Sequence, residues 1–257
     1  MTPVAALALP SGDHHGNGLY SLAVELAQPA NDAAIIELLR LSAVLCAAAR
    51  QGAFPAPGHP PRESQMNFTF ARQENERCLI FTIEAKAIDL RAFELFRNMG
   101  QRLLHKGIDV RELRLSAVGG ALTKPYRKPE PDERNEYEAY PAVAKVRFGV
   151  QAEEFVATRM RRCLIELSTP VAGAHVLRAR TWLAPWFDLL EVGAYAAPIG
   201  LASETDSIRG DVELFDELSI EITVNRFEAS ETAWSALINL LDTCWDDSGL
   251  LTKIVID

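Results

Sequence analysis

The stretch Leu79–Ser116, LIFTIEAKAIDLRAFELFRNMGQRLLHKGIDVRELRLS, returns without a gap 141 positions later as Ile220–Asp257, IEITVNRFEASETAWSALINLLDTCWDDSGLLTKIVID. Leu79, Phe81 and Ile83 align with Ile220, Ile222 and Val224, the alternation of a strand with one buried face. Ala92-Phe93 aligns with Ala233-Trp234 and Met99 with Leu240, at helical spacing. Leu113 and Leu115 align with Ile254 and Ile256, a closing strand. Both copies therefore read strand, helix, strand.

The same offset extends toward the N-terminus. Val24-Glu25-Leu26 aligns with Ile165-Glu166-Leu167, Pro29 with Pro170, and Gly52-Ala53-Phe54 with Gly193-Ala194-Tyr195. In the first copy Leu22, Val24 and Leu26 alternate as a strand, Asn31 and Asp32 offer a helix cap, and Gly52 ends the helix. Each half reads strand, helix, strand, strand, helix, strand. The expected fold is α+β, an internal duplication of two ferredoxin-like (βαββαβ) halves, with two helices covering each antiparallel sheet. The halves span 1–116 and 142–257, joined by a Pro- and charge-rich linker over 117–141.

Further strands are expected at Thr2–Ala8, as an edge, and at Val143–Val150. Gly16-Asn17-Gly18 reads as a turn, and Pro185 should bend or interrupt the second copy's first helix. Within the hairpins the offset falters. Phe68 and Phe70 align with Arg209 and Asp211, whereas Val212 and Leu214 look like the inward pair, so a local shift or bulge is expected.

Net charge is −9, from 35 acidic and 26 basic residues, which argues against nucleic acid as partner. The charge is unevenly spread. Of 13 acidic residues between Glu204 and Asp257, Glu204, Asp206, Asp211, Glu213, Asp216 and Glu217 fall on one loop and hairpin. Such a field favours association with a cationic protein. No apolar run reaches the roughly 18 residues of a membrane span, and Met1–Pro10 lacks a basic signal-peptide start. A soluble, cytoplasmic chain without membrane contact is expected.

Assembled chemistry is not visible. Cys46, Cys78, Cys163 and Cys244 are far apart and read as buried, reduced thiols. Asp13-His14-His15 has metal-ligand residue types but no partners at ligand spacing. Glu25 and Glu166 match across the repeat in the outward phase of a strand, as a solvated sheet face would. No catalytic residue, cofactor or metal is expected.

All four tryptophans lie in the second half. Trp186 and Trp234 replace Leu45 and Phe93 and read as core, while Trp182 and Trp245 sit near the edge of the apolar stripe as candidate anchors for a partner. These features point to a non-enzymatic protein-binding role. Its most specific form is a bacterial immunity protein that neutralises a basic toxin by occlusion, with Glu204, Asp206, Asp211, Glu213, Asp216, Glu217, Trp182 and Trp245 as the partner-binding set. A ligand or enzyme site in the cleft between the halves, and a structural subunit assembling through sheet edges, are the competing readings.

Overall fold

The structure, a computed structural model, describes residues 4–12, 14–120, 123–126, 146–152, 160–195, 210–225, 232–245 and 249–257. Strand β1 (Ala6–Pro10) leads into β2 (His15–Leu26) and helix α1 (Asp32–Arg50). The hairpin β3 (Gln65–Asn75) and β4 (Cys78–Asp89) follows, then α2 (Phe93–Arg102), β5 (Val110–Ala117) and a short β6 (Thr123–Pro125). The second half comprises β7 (Gly149–Ala152), β8 (Met160–Leu167), α3 (Gly173–Glu191), β9 (Gly210–Leu214), β10 (Ser219–Asn225), α4 (Thr232–Cys244) and β11 (Leu251–Ile256). The fold is mixed α+β.

Local chemistry accounts for the element ends. The Asn31 side-chain oxygen accepts the Ala34 N–H at 2.9 Å and so satisfies one of the free amides that open α1. Gly52, at φ +95°, closes it in the left-handed region. Inside α1, Leu38, Leu41, Leu45, Ala48 and Ala49 form the buried stripe.

The described strands make two sheets, ordered β3-β4-β2-β5-β1-β6 and β7-β11-β8-β10-β9. In the first, β2 is antiparallel to β4 and β5, and β1 runs parallel to β5. In the second, β8 is antiparallel to β10 and β11, and β7 runs parallel to β11. Each sheet is backed by helices, and α1 also packs against α3. The helices of both halves therefore meet between the sheets, and one continuous apolar core crosses from one half to the other.

Several expectations change. β1 is not an edge, because β6, drawn from the stretch read as linker, pairs antiparallel on its outer side. Residues 127–141 of that linker, like Val143, lie outside the described residues. Gly16-Asn17-Gly18 is a bulge within β2 and not a turn. A Cβ on Gly16 would meet the Leu90 side chain at 2.7 Å, and the Asn17 side-chain oxygen accepts the N–H of Ala87, itself at φ +49°. Helix α3 runs unbroken through Pro185. Proline removes one amide donor, and the burial of Pro185 among α3's core residues shows that packing holds the helix there.

The hairpin shift is real and local. Phe70 pairs with Phe81, while Val212 pairs with Ile222, the residue 141 positions beyond Phe81. Two irregularities in β3, at Phe70/Arg72 and Gln73/Asn75, have no counterpart in the β9–β10 pairing. Val212 is buried as expected, but Leu214 beside the turn is 58% exposed. The register explains an exchange of volumes. Phe68 pairs with Ile83 and Gly210 with Val224, so a large ring and a glycine hold corresponding places. Phe187 approaches Gly210 so closely that a Cβ there would overlap its ring, whereas in the first half the small Cys46, at the position of Phe187, lies beside Phe68.

Trp186 anchors the second half's core. It is fully buried, donates Nε1 to the Ala233 carbonyl at 2.9 Å, and its ring lies 5.9 Å from that of Trp234. Replacing it by alanine removes the ring and the indole hydrogen bond to α4. Urea unfolding of Trp186→Ala should show a loss of about 3–5 kcal/mol; a loss below about 1 kcal/mol would contradict this packing role.

All four cysteines are free and buried. Desolvation pushes the Cys46 and Cys244 thiols up to about 11 and, with Glu25 and Glu74 nearby, the Cys78 thiol up to about 12. Thiol-reactive reagent at pH 8 should label the native protein slowly and all four cysteines rapidly in urea. Rapid labelling of the native protein would overturn the assignment.

Candidate protein-docking face

Backbone hydrogen bonds between β9 and β10 set Asp211 against Thr223, Val212 against Ile222 and Glu213 against Glu221. Only Val212 of β9 turns into the core. The turn is closed by Phe215 N–H donating to the Ser219 carbonyl at 3.0 Å. It is also held by the Asp216 carboxylate, which accepts the Leu218 N–H at 2.8 Å. That backbone bond, with a smaller contribution from Ser219, holds the Asp216 pKa below the usual carboxylate value.

This turn exposes Leu214, Phe215 and Leu218 at 58%, 56% and 48%, and Asp211, Glu213, Asp216 and Glu217 are exposed around them. Asp211 is partly neutralised, because Arg180 of α3 reaches its carboxylate at 3.2 Å and also donates Nε to the Val212 carbonyl at 2.8 Å. The β3–β4 turn uses the same device, Asn75 accepting the Arg77 N–H at 2.8 Å, but presents Glu74, Glu76 and Arg77 with no exposed large apolar side chain. One hairpin end carries an apolar and acidic surface; its counterpart is polar and mixed in charge.

The expected partner-binding residues separate accordingly. Asp211, Glu213, Asp216 and Glu217 are brought together on the β9–β10 hairpin. Trp182 lies half-buried on α3, two residues from Arg180. Trp245 is only 3% exposed and belongs to the core. The end of α4 turns it inward beside Cys244, so it is not available as a surface anchor. Glu204 and Asp206 lie outside the described residues, as do Asp13, Asp246 and Asp247.

A second polar site, absent from the sequence expectations, lies where β4 passes into α2. Asp89, with no exposed surface, accepts two bonds from Arg91 Nε at 2.9 Å, one from Nη2 at 2.5 Å, and the Arg91 N–H at 2.9 Å. One turn on, Glu94 faces Arg97 at 3.5 Å, and Arg97 donates to the Asn98 side-chain oxygen at 3.3 Å. Asn98 in turn donates to the carbonyl of Ala194 in the other half at 2.9 Å. The Tyr126 ring meets His14 edge-on, and burial, then Glu94, push its hydroxyl pKa up.

Glu94, Arg97 and Asn98 are internal because α2 is buried on every side from Phe93 to Gly100. The i,i+3 spacing of Glu94 and Arg97 was the legible signal, but it reads equally as a solvated pair. Positions 141 later hold Ser230, Thr232, Ser235 and Ile238 opposite Asp89, Arg91, Glu94 and Arg97, so the ionic cluster is a property of the first half. Asp89 faces Arg91 and Glu94 faces Arg97, so each of these buried charges has an opposite charge beside it.

Among the described residues no group of three or more His, Cys, Asp or Glu is placed to hold a metal ion. No helix among them is long and apolar enough to cross a membrane.

No family model matches the chain, and no curated protein matches it. Among solved structures it is similar to the ferredoxin protease FusC in complex with Arabidopsis ferredoxin, at 13% identity and a TM-score of 0.22, over 89% of this chain and 33% of that one. It thus spans about a third of that protease. A protein of unknown function from Galdieria sulphuraria is matched at 10% identity and a TM-score of 0.18, over 93% and 96% of the two chains. A Cas6 product complex is matched at 14% identity and a TM-score of 0.19, over 94% and 100%. At such scores these likenesses carry no argument about fold or activity.

Asp89→Asn removes the carboxylate charge that Arg91 faces at 2.5 Å in a largely buried place. Asp89→Asn should cost about 3 kcal/mol in urea unfolding, with most of that loss recovered when Arg91 is replaced by methionine in the same chain. Full stability of the single variant would remove the pair from the structure's supports.

Proposed function

We propose that this chain is a non-enzymatic protein-binding protein, built as an internal duplication of two ferredoxin-like halves, whose acidic second half docks on a basic protein. The duplication is supported by backbone bonds that recur at the offset seen in the sequence. Leu26 N–H bonds to the Arg77 carbonyl and Leu167 N–H to that of Leu218; Ala30 N–H bonds to Glu76 and Val171 N–H to Glu217; Ala27 N–H bonds to Asp109 and Ser168 N–H to Leu250. Both members of each pair differ by 141 positions. The strand orders β3-β4-β2-β5 and β9-β10-β8-β11 correspond in the same way.

The docking reading rests on one observation, the exposed Leu214, Phe215 and Leu218 surrounded by Asp211, Glu213, Asp216 and Glu217. Apolar side chains ringed by charge are the anatomy of a protein interface, in which the centre supplies desolvation and the rim supplies steering. Divergence of one hairpin end within a duplicated frame is consistent with a binding specialisation. The most specific form is an immunity protein that blocks a basic toxin by covering it, so the scaffold needs no chemistry of its own.

The test is a binding assay with the basic protein that the chain retains in 1:1 amount from native lysate. Glu213→Lys with Glu217→Lys should slow association at least about tenfold at low salt and flatten its salt dependence. Phe215→Ala should speed dissociation, while far-ultraviolet circular dichroism of both variants stays native. Unchanged rates in both variants would reject this docking face.

A further inference from the structure

The contact between the two halves is reciprocal. Asn98 on α2 donates Nδ2 to the Ala194 carbonyl, just beyond α3, at 2.9 Å. Asn239 on α4 donates Nδ2 to the Ala53 carbonyl, just beyond α1, at 3.3 Å. The two donors are 141 positions apart, and so are the two acceptors. A neighbouring contact repeats the pattern. A Cβ on Gly52 would meet Thr243 Oγ1 at 2.5 Å, and a Cβ on Gly193 would overlap the Arg102 guanidinium. Gly52 and Gly193 both have positive φ, +95° and +72°, and Arg102 and Thr243 are again 141 apart. Between these contacts α1 packs on α3, its own counterpart.

When residue i touches j and the equivalent of j touches the equivalent of i, the interface is isologous, as across the twofold axis of a homodimer. The asparagines make this one specific. Asn98 and Asn239 are 8% and 0% exposed, and each donates a buried N–H to a carbonyl of the other half. The close approaches at Gly52 and Gly193 set the distance at which the halves meet. Each half therefore presents an equivalent surface, with Arg102 in one where the other has Thr243, matched to its counterpart.

We propose that this surface is a quasi-twofold, homodimer-type interface that forms without the connecting segment, and that it accepts the complementary half of a second copy of this chain as readily as its own. In the intact chain the connection favours pairing within one molecule, because the tethered half is at high effective concentration. At high protein concentration the same surface supports exchange of halves between chains. This inference rests on the duplicated architecture and is independent of the β9–β10 docking face.

The experiment inserts a protease site, flanked by Gly-Ser residues, between positions 131 and 132 of the full chain. The cut protein is prepared in isotopically light and heavy forms, mixed, unfolded in urea, refolded together and weighed by native mass spectrometry. The expected result is a complex of one first half with one second half, with light–heavy mixed pairs among the products. Asn98→Ala with Asn239→Ala should weaken the cut complex at least about tenfold. If that double variant does not refold, Asn98→Ala alone carries the comparison. Halves that refold separately, or an affinity unchanged by loss of the asparagine, would overturn the proposal. Binding of a basic protein by the uncut chain is read independently, so failure here leaves the docking result intact.

Discussion

The structure depends on helices that are buried on two sides. α1 must cover its own sheet and also meet α3, and α2 is enclosed from Phe93 to Gly100 by sheet, neighbouring helix and the opposite half. An amphipathic helix over a single sheet can leave a polar face in water. α2 cannot, so its polar side chains need partners inside the protein, whereas α1 keeps Ile36 and Arg40 exposed. Two solutions are used: apolar contact between α1 and α3, and polar groups that are each met by a defined acceptor or counter-charge. The second is why Asn98, Arg97, Glu94 and Asp89 can be internal at all.

Within that arrangement the two halves of the chain place their charges in different media. The first half carries its special charges inside, as the Asp89–Arg91 and Glu94–Arg97 pairs, where low dielectric makes partnership obligatory. The second half has Ser230, Thr232, Ser235 and Ile238 at those positions and carries carboxylates outside instead, at Asp211, Glu213, Asp216 and Glu217. Outside, water screens each carboxylate, so beyond the local bonds of Asp211 and Asp216 the group acts as a collective field. Internal charges therefore bear on how the first half is ordered, and external ones on the field at the surface of the second half.

The exchange of Phe68 and Cys46 for Gly210 and Phe187 follows from the same close packing. A ring supplied by the strand in one half is supplied by the helix in the other, and the facing residue shrinks to admit it. Interiors tolerate such swaps because total volume, more than the identity of the residue that fills it, decides whether a void is left.

The sequence by itself determined the α+β class, the order of the elements, the helix cap at Asn31, the buried cysteines and the grouping of carboxylates on one hairpin. These depend on neighbours a few residues apart, whose periodicity and polarity are written along the chain. Other features were decided only by tertiary structure. Trp245 turned inward, Leu214 and Phe215 were left exposed, β6 covered the outer side of β1, and α3 continued through Pro185. So was the ionic cluster at the start of α2, since Glu94 and Arg97 look like a surface pair until the surrounding elements and Tyr126 enclose them. The physical reason is common to all of these: burial is a property of what lies on the far side of a residue, and here that far side is supplied by elements dozens to more than a hundred positions away.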